Sequence, residues 1–372
     1  MTRARITTVL ILAVTMIASL ALSPRTTVAA DQLPRPDGKP ADMSKPVQVY
    51  ILLGQSNMVG AGKVGPVAKD GSLEHAVKEK KKYPYLIDDA GAWTVRNDVR
   101  NVRVMGSGGG PFGKAINNEW MTVKGGTLGP EYGIGHKVGN AVDAPVMILK
   151  SCIGNRSLAW DLLPPGSERQ EVEVTDKKTG EKKTIVVPAY HDKVRHPSWD
   201  KGTTPEEPKH TWYAGLQYDG DIQRAKQVLA DLNTYYPQAK GYEVAGFFWW
   251  QGDKDRYNEA HAALYEQNLV HLIKTLRKEF NAPHAKFVCA TLGQTEKGAD
   301  GNDGKILNAM LAVDGGSGKY PQFKGNVATV YSHPLSLGGA SNGHYGGNAE
   351  TYMNIGEAMG QAMVELLKAD AK

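Results

Sequence analysis

The stretch Val47-Gln48-Val49-Tyr50-Ile51-Leu52-Leu53-Gly54-Gln55-Ser56-Asn57-Met58 decides the fold. Its first seven residues are β-branched, aromatic and aliphatic with a single polar interruption, which is the composition of a buried strand, and Gly54 ends it. Similar apolar runs recur at Pro145 to Lys150, Val244 to Trp250 and Lys286 to Leu292. Between and after them, helices are expected over 129–142, 221–236, 260–280 and 350–368. The last carries Met353, Met359, Met363 and Leu366 at spacings suited to one face. Strands alternating with helices predict βαβ units: an α/β fold, a three-layer sandwich whose central parallel sheet is covered on both faces. In such sheets the chemistry collects at the carboxyl ends of the strands, where residues 54–58 lie.

Outward from this core, two excursions interrupt the pattern. Residues 60–127 are long and glycine-rich, with a strand-like piece from Val95 to Met105. Within 165–210, the alternation of valine and charge from Gln170 to Tyr190 around Lys177-Lys178-Thr179-Gly180 predicts a projecting β-hairpin. Both read as insertions on a single domain spanning 46–372. Residues 31–45, rich in Pro, Asp and Lys, read as an exposed leader. Residues 1–30 have the layout of a signal peptide: Arg3 and Arg5, an apolar run from Val9 to Leu22, and Val28-Ala29-Ala30 before Asp31. That run is shorter than the ~20 residues of a membrane span. The expected mature protein is secreted or periplasmic, with no membrane attachment after cleavage.

Composition removes other classes. The 372 residues are 41% hydrophobic with 42 Gly, which excludes a disordered or collagen-like chain. Two cysteines supply neither a disulfide scaffold nor a cysteine-rich zinc framework, and Cys152 and Cys289 are expected as two buried thiols. Cleavage removes Arg3, Arg5 and Arg25 and no acid, so the formal charge of +5 falls to about +2 and gives no electrostatic reason for nucleic-acid binding. The basic run Lys78 to Lys82 is expected as a solvated helix face. None of the ten histidines stands in an i, i+4 pair with a glutamate or beside a cysteine, so neither metal nor cofactor is expected. Gly106-Ser107-Gly108-Gly109-Gly110 opens no helix with a lysine at P-loop spacing, which argues against phosphate binding.

On position alone, Ser56 has two readings. It caps the next helix as a turn serine, or it exposes a nucleophilic Oγ at the sheet edge with its own N–H aimed at a bound carbonyl oxygen. It does not sit in a Gly-x-Ser-x-Gly elbow, because Met58 stands where the second glycine belongs.

Four blocks in order favour the second reading: Gly54-Gln55-Ser56-Asn57-Met58, Gly129-Pro130-Glu131, Trp250-Gln251-Gly252-Asp253-Lys254-Asp255 and His344-Tyr345-Gly346. Together they resemble the SGNH-hydrolase superfamily, in the branch of sialate O-acetylesterases and related plant-wall carbohydrate acetylesterases. The resemblance implies a flavodoxin-like sheet and a serine esterase acting on acetylated carbohydrate. It implies Ser56 as nucleophile, His344 as general base, and the Ser56 N–H, the Gly129 N–H and the Gln251 side-chain amide as oxyanion donors. Gln55, Asn57, Asn155, Trp250 and Asp253 are the expected substrate contacts, with Trp249 or Trp250 as an apolar wall, and Arg156 is either a sugar contact or an ion-pair partner.

The chain departs from the family where the superfamily places an aspartate three residues before the histidine, because Ser341 stands there. A backbone carbonyl, Asp253 or Asp255 is left to orient the imidazole, and His333 is a rival base. Two other functions follow from the residues: a carbohydrate-binding protein that has lost turnover, motivated by Ser341, and an esterase of longer acyl chains. The sequence does not set the oligomeric state or the glycan.

Overall fold

Val47–Gly54 (β1) lies near the middle of a seven-stranded sheet in a computed structural model that describes Met1 and residues 33–105, 115–176, 179–208 and 212–370. The other strands are Arg96–Val104 (β2), Asn117–Met121 (β3), Val146–Ser151 (β4), Tyr242–Trp250 (β5), Lys286–Ala290 (β6) and Val327–Val330 (β7). Their order is β7-β6-β5-β1-β4-β2-β3, parallel throughout except for the antiparallel edge pair β2 and β3. Because β4 and β5 flank β1 on opposite sides, the chain reverses its direction of winding at β1. That is where an open α/β sheet forms a crevice at its carboxyl edge.

Side chains alternate along β1, and the two faces bury different layers. Val49, Ile51 and Leu53 pack with Leu216–Ala230 (α2), Glu259–Glu279 (α3) and Gly301–Ala312 (α4). Tyr50 and Leu52 pack with Glu131–Ala141 (α1) and Ala349–Asp370 (α5). The three-layer α/β architecture is therefore the one expected, with helices on both faces of a mostly parallel sheet. Among the described residues no helix is long and apolar enough to cross a membrane.

Several expectations need correction. The excursion at 60–127 is less an insertion than an extension of the sheet, since it contributes β2 and β3. The hairpin forms from Gln170–Thr175 and Lys182–Val187, and Trp199–Asp200 adds a third strand to it. The helix expected from 221 begins five residues earlier and breaks at Asp231, before the short Leu232–Tyr235. Both β7 and α4 were absent from the sequence reading. The basic run is not a solvated helix face: its helix stops at Lys78, and Lys80 and Lys82 both pair with the buried carboxylate of Glu350 at the start of α5. Cys152 and Cys289 are free and buried, with β1 and β5 between their strands, and burial pushes both thiols up to about 12. The apolar run 9–22, the cleavage residues 28–30 and the glycine stretch 106–110 lie outside the described residues; 33–45 runs over the surface with no helix or strand.

The layer beneath the sheet is closed by a contact of small residues between α1 and α5. Any Cβ at Gly133 would run into the backbone of Glu357. Gly133→Val is expected to lower stability by about 1–3 kcal/mol through overpacking, read as a fall in the urea midpoint with unchanged slope. An unchanged midpoint would mean that the two helices separate freely.

Candidate active site

The turn after β1 is fixed from below. Gly54 adopts φ +143, and a side chain there would collide with the carbonyl of Trp250, so the ends of β1 and β5 approach as only glycine allows. The next residue locks them together. Gln55 N–H donates to Trp250 O (3.2 Å), while its side-chain Oε1 accepts from Gln251 Nε2 (3.1 Å), Gly252 N (3.3 Å) and Lys254 N (3.2 Å). Gln55 is buried, and its side-chain oxygen serves as a bracket between strands, while its Nε2 makes no hydrogen bond among the described residues.

Ser56 opens the short turn Ser56–Val59, with a partly exposed hydroxyl that makes no hydrogen bond among the described residues. Asn57 is fully buried beneath it, with both amide atoms unbonded among the described residues, and is out of reach of a substrate. Val59 O, at the far end of the turn, accepts from Lys150 Nζ (2.9 Å). Lys150 is buried and paired with Glu131 Oε2 at 2.6 Å, and Glu131 Oε1 accepts the N–H of Gly129 (3.1 Å). Gly129 therefore does not meet the expected role of a free oxyanion donor. Its amide belongs to the ion pair that carries the serine turn.

The end of β5 is also turned inward. Trp249 and Trp250 are both core residues, with indole N–H groups bound to Tyr265 Oη (3.2 Å) and Thr291 O (3.1 Å), so neither is a wall for substrate. Gln251 Nε2 shares its protons among Asp255 Oδ2 (2.6 Å), Arg156 O (2.8 Å) and Gln55, and its Oε1 accepts from Tyr265 Oη (2.8 Å). The expected Gln251 oxyanion contact is thus replaced by an internal one. Asp255 accepts in addition from the N–H groups of Leu158 and Ala159, which leaves neither oxygen for His344. Burial pushes its carboxyl up to about 6 against these hydrogen bonds.

The histidine arrives on Ser341–Gly347, a tight 3-10 segment in which His344, Tyr345 and Gly346 are all left-handed (φ 52, 54 and 61). A left-handed non-glycine residue costs about 1–3 kcal/mol, and such strain persists only where the surroundings over-determine it. Here the Tyr345 ring stacks on Trp250 (5.8 Å between centroids, 22°) and its hydroxyl accepts from Gly293 N (3.2 Å). Ser341, in the place of the missing aspartate, donates to Asp253 Oδ1 at 2.6 Å. The same oxygen receives Arg256 Nε at 2.9 Å, and Ser341 N–H donates to Gln294 (3.2 Å). Asp253 Oδ1 therefore braces the histidine loop.

The backbone of Ser341–Gly347 passes within 8 Å, Cα to Cα, of the turn Ser56–Val59. The imidazole of His344 is partly exposed and unbonded among the described residues, and no hydrogen bond joins it to Ser56 Oγ. The rival His333 is engaged elsewhere, with Nδ1 2.8 Å from Gly293 O and Nε2 3.1 Å from Glu296. On the other flank the loop after β4 comes close: a Cβ at Gly154 would sit 3.3 Å from Ser56 Cβ, and Asn155 beyond it is exposed with φ 57. Sequence reading missed Gly154, Glu131–Lys150 and the Ser341–Asp253 bond. A lone lysine in the apolar run 145–150 was the one available signal for the ion pair.

Residues 193–365 match the family model described as carbohydrate esterase, sialic acid-specific acetylesterase. The matched segment is somewhat under half of the chain. It contains the Gln251 and His344 blocks, and Gln55 ties the Ser56 turn to it from outside. Among solved structures, the chain is similar to a protein from Arabidopsis thaliana (17% identity, 86% of this chain and 98% of that one, TM-score 0.45). It is also similar to a carbohydrate acetylesterase from Xanthomonas citri (13%, 84% and 54%, 0.41) and to NanS (16%, 77% and 78%, 0.38). A search of curated proteins gives no match.

The brace gives a test that runs against the family pattern. Ser341→Ala removes one hydrogen bond to a charged acceptor and is expected to cost about 1.5–3 kcal/mol. Ser341→Asp, which restores the residue usual in the superfamily, is expected to cost more at pH 7, because it sets a second carboxylate against Asp253. Two carboxylates so close share a proton, so this deficit shrinks as pH falls through the carboxylate range. Urea unfolding at pH 7 and pH 4 checks both. A Ser341→Asp protein as stable as the parent at pH 7 would contradict the brace.

Proposed function

We propose that this chain is a secreted serine esterase that removes O-acetyl groups from carbohydrate through an acetyl-enzyme. The observation that carries the proposal is a pair of partly exposed side chains, Ser56 and His344, unbonded among the described residues and carried on neighbouring turns at the carboxyl rim of the sheet. The side chains of Gln251 and Asp255 beneath them are engaged in internal hydrogen bonds, and the histidine stands in strained backbone, as reacting groups often do.

In this reading His344 takes the proton of Ser56 Oγ as the oxygen attacks the acetyl carbonyl. The N–H of Ser56, at the first position of its turn with no intrahelical partner, faces the developing oxyanion. Collapse expels the sugar oxygen, which leaves with the proton held by His344. Water then attacks acetyl-Ser56 with His344 again as base, and acetate departs. The chemistry needs no metal or cofactor. Asp253 acts through Ser341 on the loop and not on the imidazole, so the pair works as a braced dyad. Export rests on the sequence of residues 1–30.

A second reading, a glycan-binding protein without turnover, draws on the internal use of the Gly129 and Gln251 amides. Acetate release from acetylated xylan, pectin and sialoglycans separates the two. The esterase reading expects release that persists in EDTA and falls at least about a thousandfold in Ser56→Ala and in His344→Ala. Glycan binding by the parent protein with no acetate released from any of them would establish the second reading, and full activity in Ser56→Ala would sink the first.

A further inference from the structure

We infer that Asn342-Gly343 is a site of self-modification, where the Asn342 side chain closes on the backbone of Gly343, loses ammonia and reopens as isoaspartate, shifting the loop that carries His344. This is the only Asn-Gly pair in the 372 residues, and both members are exposed. Gly343 offers no Cβ to block the approach of its nitrogen to the Asn342 amide. In the folded loop the two groups are already together: Gly343 N–H donates to Asn342 Oδ1 at 3.0 Å, so the amide carbon lies against that nitrogen.

The step needs water alone. Gly343 N gives up its proton and attacks Asn342 Cγ; the N–Cγ bond forms, the Cγ–Nδ2 bond breaks, and Nδ2 leaves as ammonia with that proton. Water then opens the resulting five-membered succinimide. Hydrolysis at Cγ leaves aspartate with the main chain unaltered. Hydrolysis at the main-chain carbonyl of Asn342 leaves isoaspartate, in which the main chain runs through the former side chain and is longer by a methylene. The restraint on this reaction is the hydrogen bonding that shapes the loop, because Ala340 O also holds Gly343 N–H (3.1 Å) and Tyr345 N–H (3.1 Å). Cyclisation therefore waits on local opening, and its rate reports how firmly the loop is held.

The insertion falls between two anchors. On one side Ser341 Oγ is bound to Asp253 Oδ1 (2.6 Å), and on the other the Tyr345 ring is stacked on Trp250 with its hydroxyl accepting from Gly293 N (3.2 Å). His344 lies between them in left-handed backbone, a conformation that persists only where the surroundings enforce it. A longer main chain cannot keep both anchors and the same path. Isoaspartate at position 342 therefore moves His344, whereas aspartate there only adds a charge. The loss of activity that follows rests on the esterase reading above; the covalent change does not.

The test incubates the full chain in mildly alkaline buffer and follows the peptide containing Asn342 by mass spectrometry, with electron-transfer fragmentation to separate isoaspartate from aspartate. The parent is expected to gain the mass difference between an amide and an acid at Asn342, mostly as isoaspartate, and to lose acetate release and urea midpoint in step with the isoaspartyl fraction. Gly343→Ala has room for its methyl group, since no atom lies within 4 Å of a Cβ there and the backbone is not left-handed. It is expected to modify at least about tenfold more slowly and to keep its activity over the same period. Ser341→Ala, which frees one anchor, is expected to modify about tenfold faster or more. Asn342→Asp carries the charge on an unaltered main chain and is expected to retain most activity. An Asn342 that stays unmodified in the parent, equal rates in the parent and Ser341→Ala, or an isoaspartyl protein with unchanged activity and midpoint would each overturn the inference. Isoaspartate formed in a parent that releases no acetate from any glycan, with the midpoint falling alongside, sinks the esterase reading alone. Acetate release with Asn342 intact throughout sinks this inference alone.

Discussion

The side-chain oxygen of Gln55 is the contact on which the rest depends. One buried acceptor collects three donors from the loop after β5, and so joins the end of the first strand to the segment that carries the family match. A buried polar atom so fully satisfied has a single low-energy placement, because any shift leaves donors unpaired in a medium where that is costly. Gly54 makes the approach possible by offering no Cβ where the strands nearly touch. The position of Ser56 is therefore a consequence of β-sheet geometry closed by one amide.

The same logic divides the site into a rigid floor and a free rim. Below, Lys150 and Glu131 form a buried ion pair whose spare valences go to Val59 O and Gly129 N–H, and Asp255 gathers two backbone amides and Gln251. Such pairs add little net stability, yet removing one partner leaves an uncompensated charge at a cost of about 3–5 kcal/mol. They hold backbone in place more than they hold the fold together. Above, the side chains of Ser56 and His344 are partly exposed and keep their hydrogen-bonding capacity unused among the described residues.

What was legible in the sequence is what periodicity and strand-end position encode. The run from Val47 to Leu53 and its three counterparts appear as central strands, and Ser56 sits at the rim because a residue after a parallel strand must. β7 is not marked in the sequence because Val327–Val330 is four residues long with no polar alternation, and α4 is not because its first turn, Gly301-Asn302-Asp303-Gly304, is made of weak helix formers. The roles of Gly129, Gln251 and Trp250 were carried by order along the chain alone, and order does not say which way an amide or ring faces. Only the packing of Tyr265, Asp255 and Glu131 around them turns them inward. Likewise Ser341 read as the loss of an acid, when its hydroxyl recovers a carboxylate from the neighbouring strand end.

The central claim is that Ser56 carries the acetyl group between sugar and water. Rapid acid quench of the enzyme during turnover of an acetylated glycan, followed by peptide mass spectrometry, measures this directly. The account predicts that the peptide containing Ser56 gains the mass of one acetyl group, that fragmentation assigns it to that hydroxyl, and that it disappears when substrate is exhausted. Steady release of acetate with the peptide unmodified at every quench time, or acetyl on a different side chain, would contradict it.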